Sequence, residues 1–233
     1  MKIKILWIGR GRLARHLIPD WQRTLTASHD ILTWDRSQPE SELLRLLPTA
    51  QIIALAISDR ALETFHAQYR NHAPRARWIH FSGALELEGM TGYHPLMTFG
   101  PELYTEATYR RINYVTSSTE TRWPTELPLP NALFAIHPEQ KALYHALCVL
   151  SGNFTTLLWA KAQSEFAKLG LPAEILRPYA DVTIDNVFND PTRARTGPLV
   201  RGDVETMNKN LEALGGDPFA GIYRAFQKAV EAP

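Results

Sequence analysis

The chain opens with closely set apolar positions, Ile3, Ile5, Leu6, Trp7 and Ile8, a pattern that predicts a strand buried on both faces. The run stops at Gly9, and residues 13–25 continue with helical periodicity. A second strand is predicted over 30–37, ending in the polar triplet Asp35, Arg36 and Ser37, and a helix over 40–47. Residues 50–59 form an almost unbroken apolar run that closes on Ile57, Ser58 and Asp59, as a central parallel strand would. A helix over 60–71 and a strand over 77–83, ending in Ser82 and Gly83, continue the alternation. Strands and helices alternating in this way imply right-handed crossovers and a doubly wound, mostly parallel sheet of the α/β class.

Further along, the pattern changes. Short strands are predicted over 112–118 and 131–137, and the connection between them holds Pro124, Pro128 and Pro130, which argue for an extended loop rather than a crossover helix. The later periodicity is helical, over 139–150, 154–169, 173–188, 203–214 and 218–230. The chain is therefore expected to divide near residue 137, into an α/β domain 1–137 and an all-helical domain 138–233.

Between the first strand and helix stands Gly9-Arg10-Gly11-Arg12-Leu13-Ala14, a Gly-x-Gly-x-x-Ala turn. Gly9 permits the tight turn, Gly11 lets backbone approach a pyrophosphate, and Ala14 lets the helix pack near the strand with its N-terminal amides facing the anion. The plainer alternative is an ordinary βα turn. Ligands of open sheets lie beyond the strand C-termini, so Gly9, Asp35, Ser58 and Ser82 should line one crevice, with Ile57, Asp59 and Gly83 beside them. Asp35, Arg36 and Ser37 lie about 24 residues past Gly11, where a reader of the adenine ribose is expected. A carboxylate there favours a ribose diol, whereas Arg36 and Ser37 favour a 2′-phosphate. Both nicotinamide cofactors stay open, with NADP preferred over NAD.

Composition narrows the classes. Hydrophobic residues at 45% and charged residues at 21% point to a soluble globular protein, and a net charge of +1 supplies no field toward nucleic acid or an anionic membrane. No apolar run approaches the ~20 residues of a membrane span, and the first residues read as a strand rather than a signal peptide, so a cytoplasmic location is expected. Cys148 is the sole cysteine, which excludes an internal disulfide and a multi-thiolate zinc site. It is expected to be a buried apolar residue, and no metal is expected.

The candidate chemistry lies elsewhere. His94, on a loop after a strand and followed by Pro95, can exchange a proton near neutral pH, although a histidine there can also simply hydrogen-bond a turn. Ser82 can orient a substrate oxygen or the nicotinamide amide, or only form a turn. If one helix runs through 144–153, His145, Val149 and Asn153 share a face by i+4 steps, which makes Asn153 a candidate catalytic residue and His145 a substrate contact or a core residue. The stretch from Thr196 to Asp203 reads as a turn and helix start with Asp203 as N-cap. Thr196 and Arg201 are candidate substrate contacts there, Arg201 as a carboxylate or phosphate clamp or as a surface ion pair.

Together, the loop 9–14, Asp35-Arg36-Ser37, residues 56–59, residues 80–84, residues 94–99, Tyr144-His145-Ala146, Ser151-Gly152-Asn153 and residues 196–203 resemble the bacterial Rossmann-like proteins with a C-terminal DUF2520 domain. The resemblance implies a Rossmann domain of six or more strands and an all-helical dimerising domain, hence a homodimer. It also implies membership of the superfamily that holds ketopantoate reductase, pyrroline-carboxylate reductase and β-hydroxyacid dehydrogenases. Ketopantoate reduction is the named candidate activity. The segment from His94 to Pro101 is similar to the His-Pro-Met-Phe-Gly-Pro loop of prephenate and arrogate dehydrogenases. There the histidine contacts the substrate hydroxyl and a strand-end serine lies beside the nicotinamide, roles that transfer to His94 and Ser82 only. Two extra residues separate His94 from Phe99 here. Asp35 also stands where the family usually has a small residue, and Val149 where β-hydroxyacid dehydrogenases have a catalytic lysine.

Two readings follow. One is an oxidoreductase moving hydride between nicotinamide and a small 2-oxo acid, hydroxy acid or imine. In the reductive direction His94 would protonate the developing alkoxide, Ser82 would orient it, and Asn153 and Arg201 would hold the carboxylate. The other is a nucleotide-binding sensor or scaffold without catalysis, which the missing lysine favours.

Overall fold

The computed structural model describes residues 2–119 and 121–231. Its first sheet is five-stranded and parallel, in the order β2-β1-β3-β4-β5. The elements follow the alternation of the sequence: β1 (Ile3–Ile8), α1 (Arg12–Leu25), β2 (His29–Trp34), α2 (Glu40–Leu46), β3 (Ile52–Leu55), α3 (Asp59–Tyr69), β4 (Arg77–His80) and β5 (Thr91–Gly92). Successive side chains of a strand point to opposite faces, so the unbroken apolar run of β1 serves two cores. Ile5 and Trp7 pack with Leu17 and Trp21 of α1, while Leu6 and Ile8 pack with Leu43 of α2 and Leu62 of α3.

The chain then leaves this sheet within a few residues. The backbone N–H of Tyr93 still donates to His80 O of β4 at 2.8 Å. Next, β6 (His94–Leu96) turns into a second, three-stranded sheet, and α4 (Glu106–Arg110) leads on to β7 (Asn113–Thr116) and β8 (Leu133–Ala135). In that sheet β6 is antiparallel to β7, and β8 is parallel to it. The expectation of six or more strands in one Rossmann sheet is thus corrected to five plus three. Pro95 has no N–H to extend the ladder on β4 and pairs instead with Tyr114 of β7.

The proline-rich connection contains no helix among its described residues and is fastened by Asn131. The Nδ2 of Asn131 donates to Tyr109 O and Ile112 O, both at 2.9 Å, and its carbonyl accepts from Trp123 Nε1 at 2.7 Å.

Helices follow: α5 (Lys141–Cys148), a π-helical stretch (Val149–Phe154), α6 (Thr155–Lys168), α7 (Leu176–Asn189), α8 (Pro198–Arg201), α9 (Val204–Leu214) and α10 (Phe219–Glu231). Asp203 caps α9 as expected, accepting from Thr206 N at 3.1 Å. The compact units are Met1–Thr156 and Leu157–Pro233, so α5 belongs with the sheets, and the change of pattern at residue 137 does not coincide with the division between units. Among the described residues, no helix is long and apolar enough to cross a membrane.

Candidate active site

A cleft of about 1000 Å³ opens along the C-terminal ends of the first sheet. It is lined by the glycine turn, by Trp34 to Ser37 after β2, by residues 55–61 around the start of α3, and by Phe81 and Ser82 after β4. Gly9, Asp35, Ser58 and Ser82 therefore do share one crevice, together with Arg10, Gly11, Arg12, Leu13, Arg36, Ile57 and Asp59. Ala14 is fully buried in the core beneath the turn.

The two glycines have different physical reasons. Gly9 adopts φ +104°, and a Cβ there would stand 2.4 Å from Ala56 O. Its own N–H donates to Trp34 O at 2.8 Å, so the turn is wedged between the ends of β2 and β3. Gly11 has φ −62°, and a Cβ would meet nothing within 4 Å. It is the N-cap of α1, no described side chain caps that helix, and its first turn holds no acidic residue. Free amides at a positive helix end, with open space in front of a glycine, fit a diphosphate.

Asp35 is already occupied. Its Oδ1 accepts from Ser37 N at 2.8 Å, its carbonyl from Gln38 N at 2.9 Å, and Oδ2 lies 3.7 Å from Arg10 Nε. Hydrogen bonds from the hydroxyl and amide of Ser37 hold its carboxyl below the usual range. The carboxylate thus builds the turn that carries Arg36 and Ser37.

Beyond the cleft, α5 brings Tyr144 and His145 onto His94, which opens strand β6 rather than standing on the expected loop. Nδ1 of His94 is 2.7 Å from Tyr144 Oη, and the rings of His94 and His145 stand edge to face with centroids 5.9 Å apart. Gly83 lies directly beneath: a Cβ there would be 2.4 Å from Cδ2 of His145 and 3.0 Å from Nε2 of His94. Burial, followed by the neighbouring His145 and Lys141, lowers His94 from 6.5 to about 4, against the opposing pull of Asp59. Burial also pushes the Tyr144 phenol above its ordinary value, followed by the effect of Cys148. Nδ1 of His94 and the Tyr144 hydroxyl share one hydrogen bond; where the phenol donates it, the ring hydrogen of a neutral His94 stands on Nε2. At neutral pH the ring of His94 is therefore a neutral imidazole.

The hydroxyl of Ser82 donates to Asp59 Oδ2 at 2.8 Å and accepts from the amides of Ala84 and Leu85 at 3.3 and 3.1 Å. Its proton is committed to α3, so it fastens the end of β4 before it can orient any ligand. Asn153 is exposed on the π-helical stretch, and its side chain makes no hydrogen bond with the described residues. The π-turn has i→i+5 spacing, so the face expected to align His145, Val149 and Asn153 by i+4 steps does not form. Thr196 and Arg201 are exposed and belong to the second unit, before and in α8. Cys148 is half-buried beside Tyr144 rather than fully buried.

Sequence reasoning passed over Lys141 and Ser117, both buried, and Glu86, which stays 44% exposed; together they form a polar group next to these histidines. The signal for Lys141 was its i, i+3, i+4 spacing with Tyr144 and His145. Glu86, in a loop, carried none.

This geometry defines a Rossmann-like α/β protein with a nucleotide-shaped cleft and a histidine pair at the end of β4. Within it, residues 127–230 match the domain of unknown function DUF2520. The fold is similar to that of a provisionally assigned NADP oxidoreductase from Bacteroides fragilis, at 22% identity over 100% of this chain and 99% of that one, with a TM-score of 0.77. It is also similar to a pyrroline carboxylate reductase of Plasmodium falciparum solved with NADP bound, at 11% identity over 98% of each chain and a TM-score of 0.62. A third likeness is to a provisionally assigned prephenate dehydrogenase of Corynebacterium glutamicum, at 15% identity over 98% and 88% of the chains, TM-score 0.53. No curated protein matches the chain.

Proposed function

We propose that this protein is an NAD(P)-dependent oxidoreductase, with NADP preferred, acting on a small 2-oxo acid, hydroxy acid or imine, with ketopantoate the leading substrate candidate. The observation that carries the reading is the uncapped helix end at Gly11 on a cleft whose lining reaches Ser82, with the histidine pair over the next residue, Gly83. The named activities of the structural neighbours support it.

The backbone of the turn 9–11 and the amides opening α1 would hold the diphosphate, and Arg36 with Ser37 would take a 2′-phosphate. Since Asp35 is spent on Ser37 and Arg10, its repulsion of that phosphate is blunted. A bound nicotinamide cofactor supplies or accepts the hydride. His94 offers Nε2–H to the substrate oxygen as a neutral imidazole, and Tyr144 fixes its tautomer. His145 flanks the same position.

The test is turnover on a panel of 2-oxo acids and imines with both cofactors. We expect His94→Ala to lower kcat at least about 100-fold. In the unaltered protein kcat/KM should be flat above about pH 5 and fall as pH drops through about 4, where His94 gains its proton. A rate that instead rises toward acid would identify an imidazolium donor. Replacing Arg36 with Glu should reverse the cofactor preference, costing NADPH about tenfold or more in affinity by fluorescence titration.

Homodimerisation through the helical unit is part of the same reading. On α7, Tyr179, Val182, Ile184, Val187 and Phe188 are exposed, the last at 85%, more apolar surface than one helix normally leaves in water. Light scattering should give twice 26.4 kDa, and Phe188→Asp with Val182→Asp should give the monomer.

A further inference from the structure

Lys141, Tyr144 and His145 stand at i, i+3 and i+4 on α5 and so share a face. Tyr144 and His145 meet His94 from that face; Lys141 goes elsewhere. Its side chain is only 3% exposed, a state lysine reaches almost solely when paired. Nζ lies 2.8 Å from Glu86 Oε1, in the connection after β4, and 3.4 Å from Ser117 Oγ, just past β7. Ser117 donates to Glu86 as well. Under the ammonium is Gly92 of β5, where a Cβ would stand 2.6 Å from Nζ and 3.0 Å from the His80 ring. One ammonium therefore ties the first turn of α5 to two segments of the sheet region and packs over a third at Gly92.

With Lys141 buried and Glu86 44% exposed, the pair adds little stability, because desolvation of the ammonium offsets an attraction that solvent partly screens. Fixing geometry is its better-supported use. We propose that Lys141 is a positioning residue for the His94 centre: its tie to Glu86 and Ser117 sets where α5 starts on the sheets, and so seats Tyr144 and His145 against the His94 ring. This rests on the reading that His94 faces the substrate. The ammonium also acts through space. The ring of His94 is met by Tyr144 and His145 from α5, while Lys141 of α5 and Asp59 of α3 act on it across space; His145 and Lys141 oppose a proton on it, and Asp59 favours one.

Lys141→Met in the full chain removes the charge and keeps the stem. Two readouts are taken: the His94 titration from its ring Cε1–H resonance, and kcat with KM on a turned-over substrate. We expect the His94 midpoint to rise by about one pH unit and kcat to fall about tenfold or more with KM nearly constant. Lys141→Arg should recover part of both. A folded Lys141→Met protein with unmoved His94 midpoint and unchanged kcat overturns the proposal. If that variant does not fold, Glu86→Gln leaves the ammonium without its counter-ion and should shift the ring resonances of His94 and lower kcat with KM nearly constant; unmoved resonances with unchanged kcat overturn the proposal equally. Should the unaltered protein turn over nothing while His94 still shifts in Lys141→Met, the oxidoreductase reading fails and the tie stands.

Discussion

Gly9→Ala is expected to lose dinucleotide binding and to destabilise the fold by roughly 3 kcal/mol or more. A side chain at φ +104° is strained in itself, by about 1–2 kcal/mol. The added Cβ also meets the backbone carbonyl of Ala56 at 2.4 Å, and a carbonyl at the end of β3 cannot rotate away without breaking the sheet. In a chain of this size the melting temperature should drop by about 6–12 °C. Gly11→Ala is the informative contrast. Its φ of −62° suits any residue and its Cβ points into open space, so stability should stay within about 0.5 kcal/mol. NADPH affinity should nonetheless fall about tenfold or more, because the methyl occupies the approach of the diphosphate. Equal affinity in the Gly11 variant would remove the phosphate cradle from the argument.

Acid should weaken this protein before its carboxylates titrate. His80, 1% exposed, is lowered from 6.5 to about 4 by burial first and by Lys141 second, against the pull of Glu86 and Asp59. His94 is lowered to a similar value. An unfolded chain takes up protons on both rings near 6.5, whereas the folded chain does so only near 4. Stability from these groups is thus complete above about 6.5 and is lost as pH falls toward 4. For His80 the loss is on the order of 3 kcal/mol; for the less buried His94 it is smaller. Urea midpoints measured between about pH 7 and 4 should fall steeply over that window. His80→Asn, which keeps an acceptor for the Ser82 amide, should flatten the slope. A wild-type midpoint constant across the window would contradict the buried neutral state of His80.

How much of this was legible depends on whether the cause is local. The apolar run of β1, the turn at Gly9 and the polar end of β2 are set by near neighbours, and each is where its pattern predicts. His94 was legible too, since a proline after it and a strand before it restrict it locally. The change of sheet at Tyr93 was not, because the residues around His94 read as a loop, and strands as short as Thr91–Gly92 and His94–Leu96 leave no period to read. The π-helical stretch was invisible for a related reason: Ser151, Gly152 and Asn153 fit an α-helix break as well as a widened turn. Lys141 was the largest omission. A lysine reads as surface unless its counter-ion is known, and Glu86 lies 55 positions earlier in a loop without periodicity.

Trp34 closes the cleft beside Arg36, with its indole N–H held by Pro39 O at 3.1 Å. Trp7 stacks on Phe81, another cleft residue, with ring centroids 4.9 Å apart. Indole emission overlaps the absorption of a reduced nicotinamide. The architecture therefore contains its own optical sensor: docking of NADPH should quench tryptophan light and brighten the cofactor, so occupancy can be followed without any label, in every variant named above.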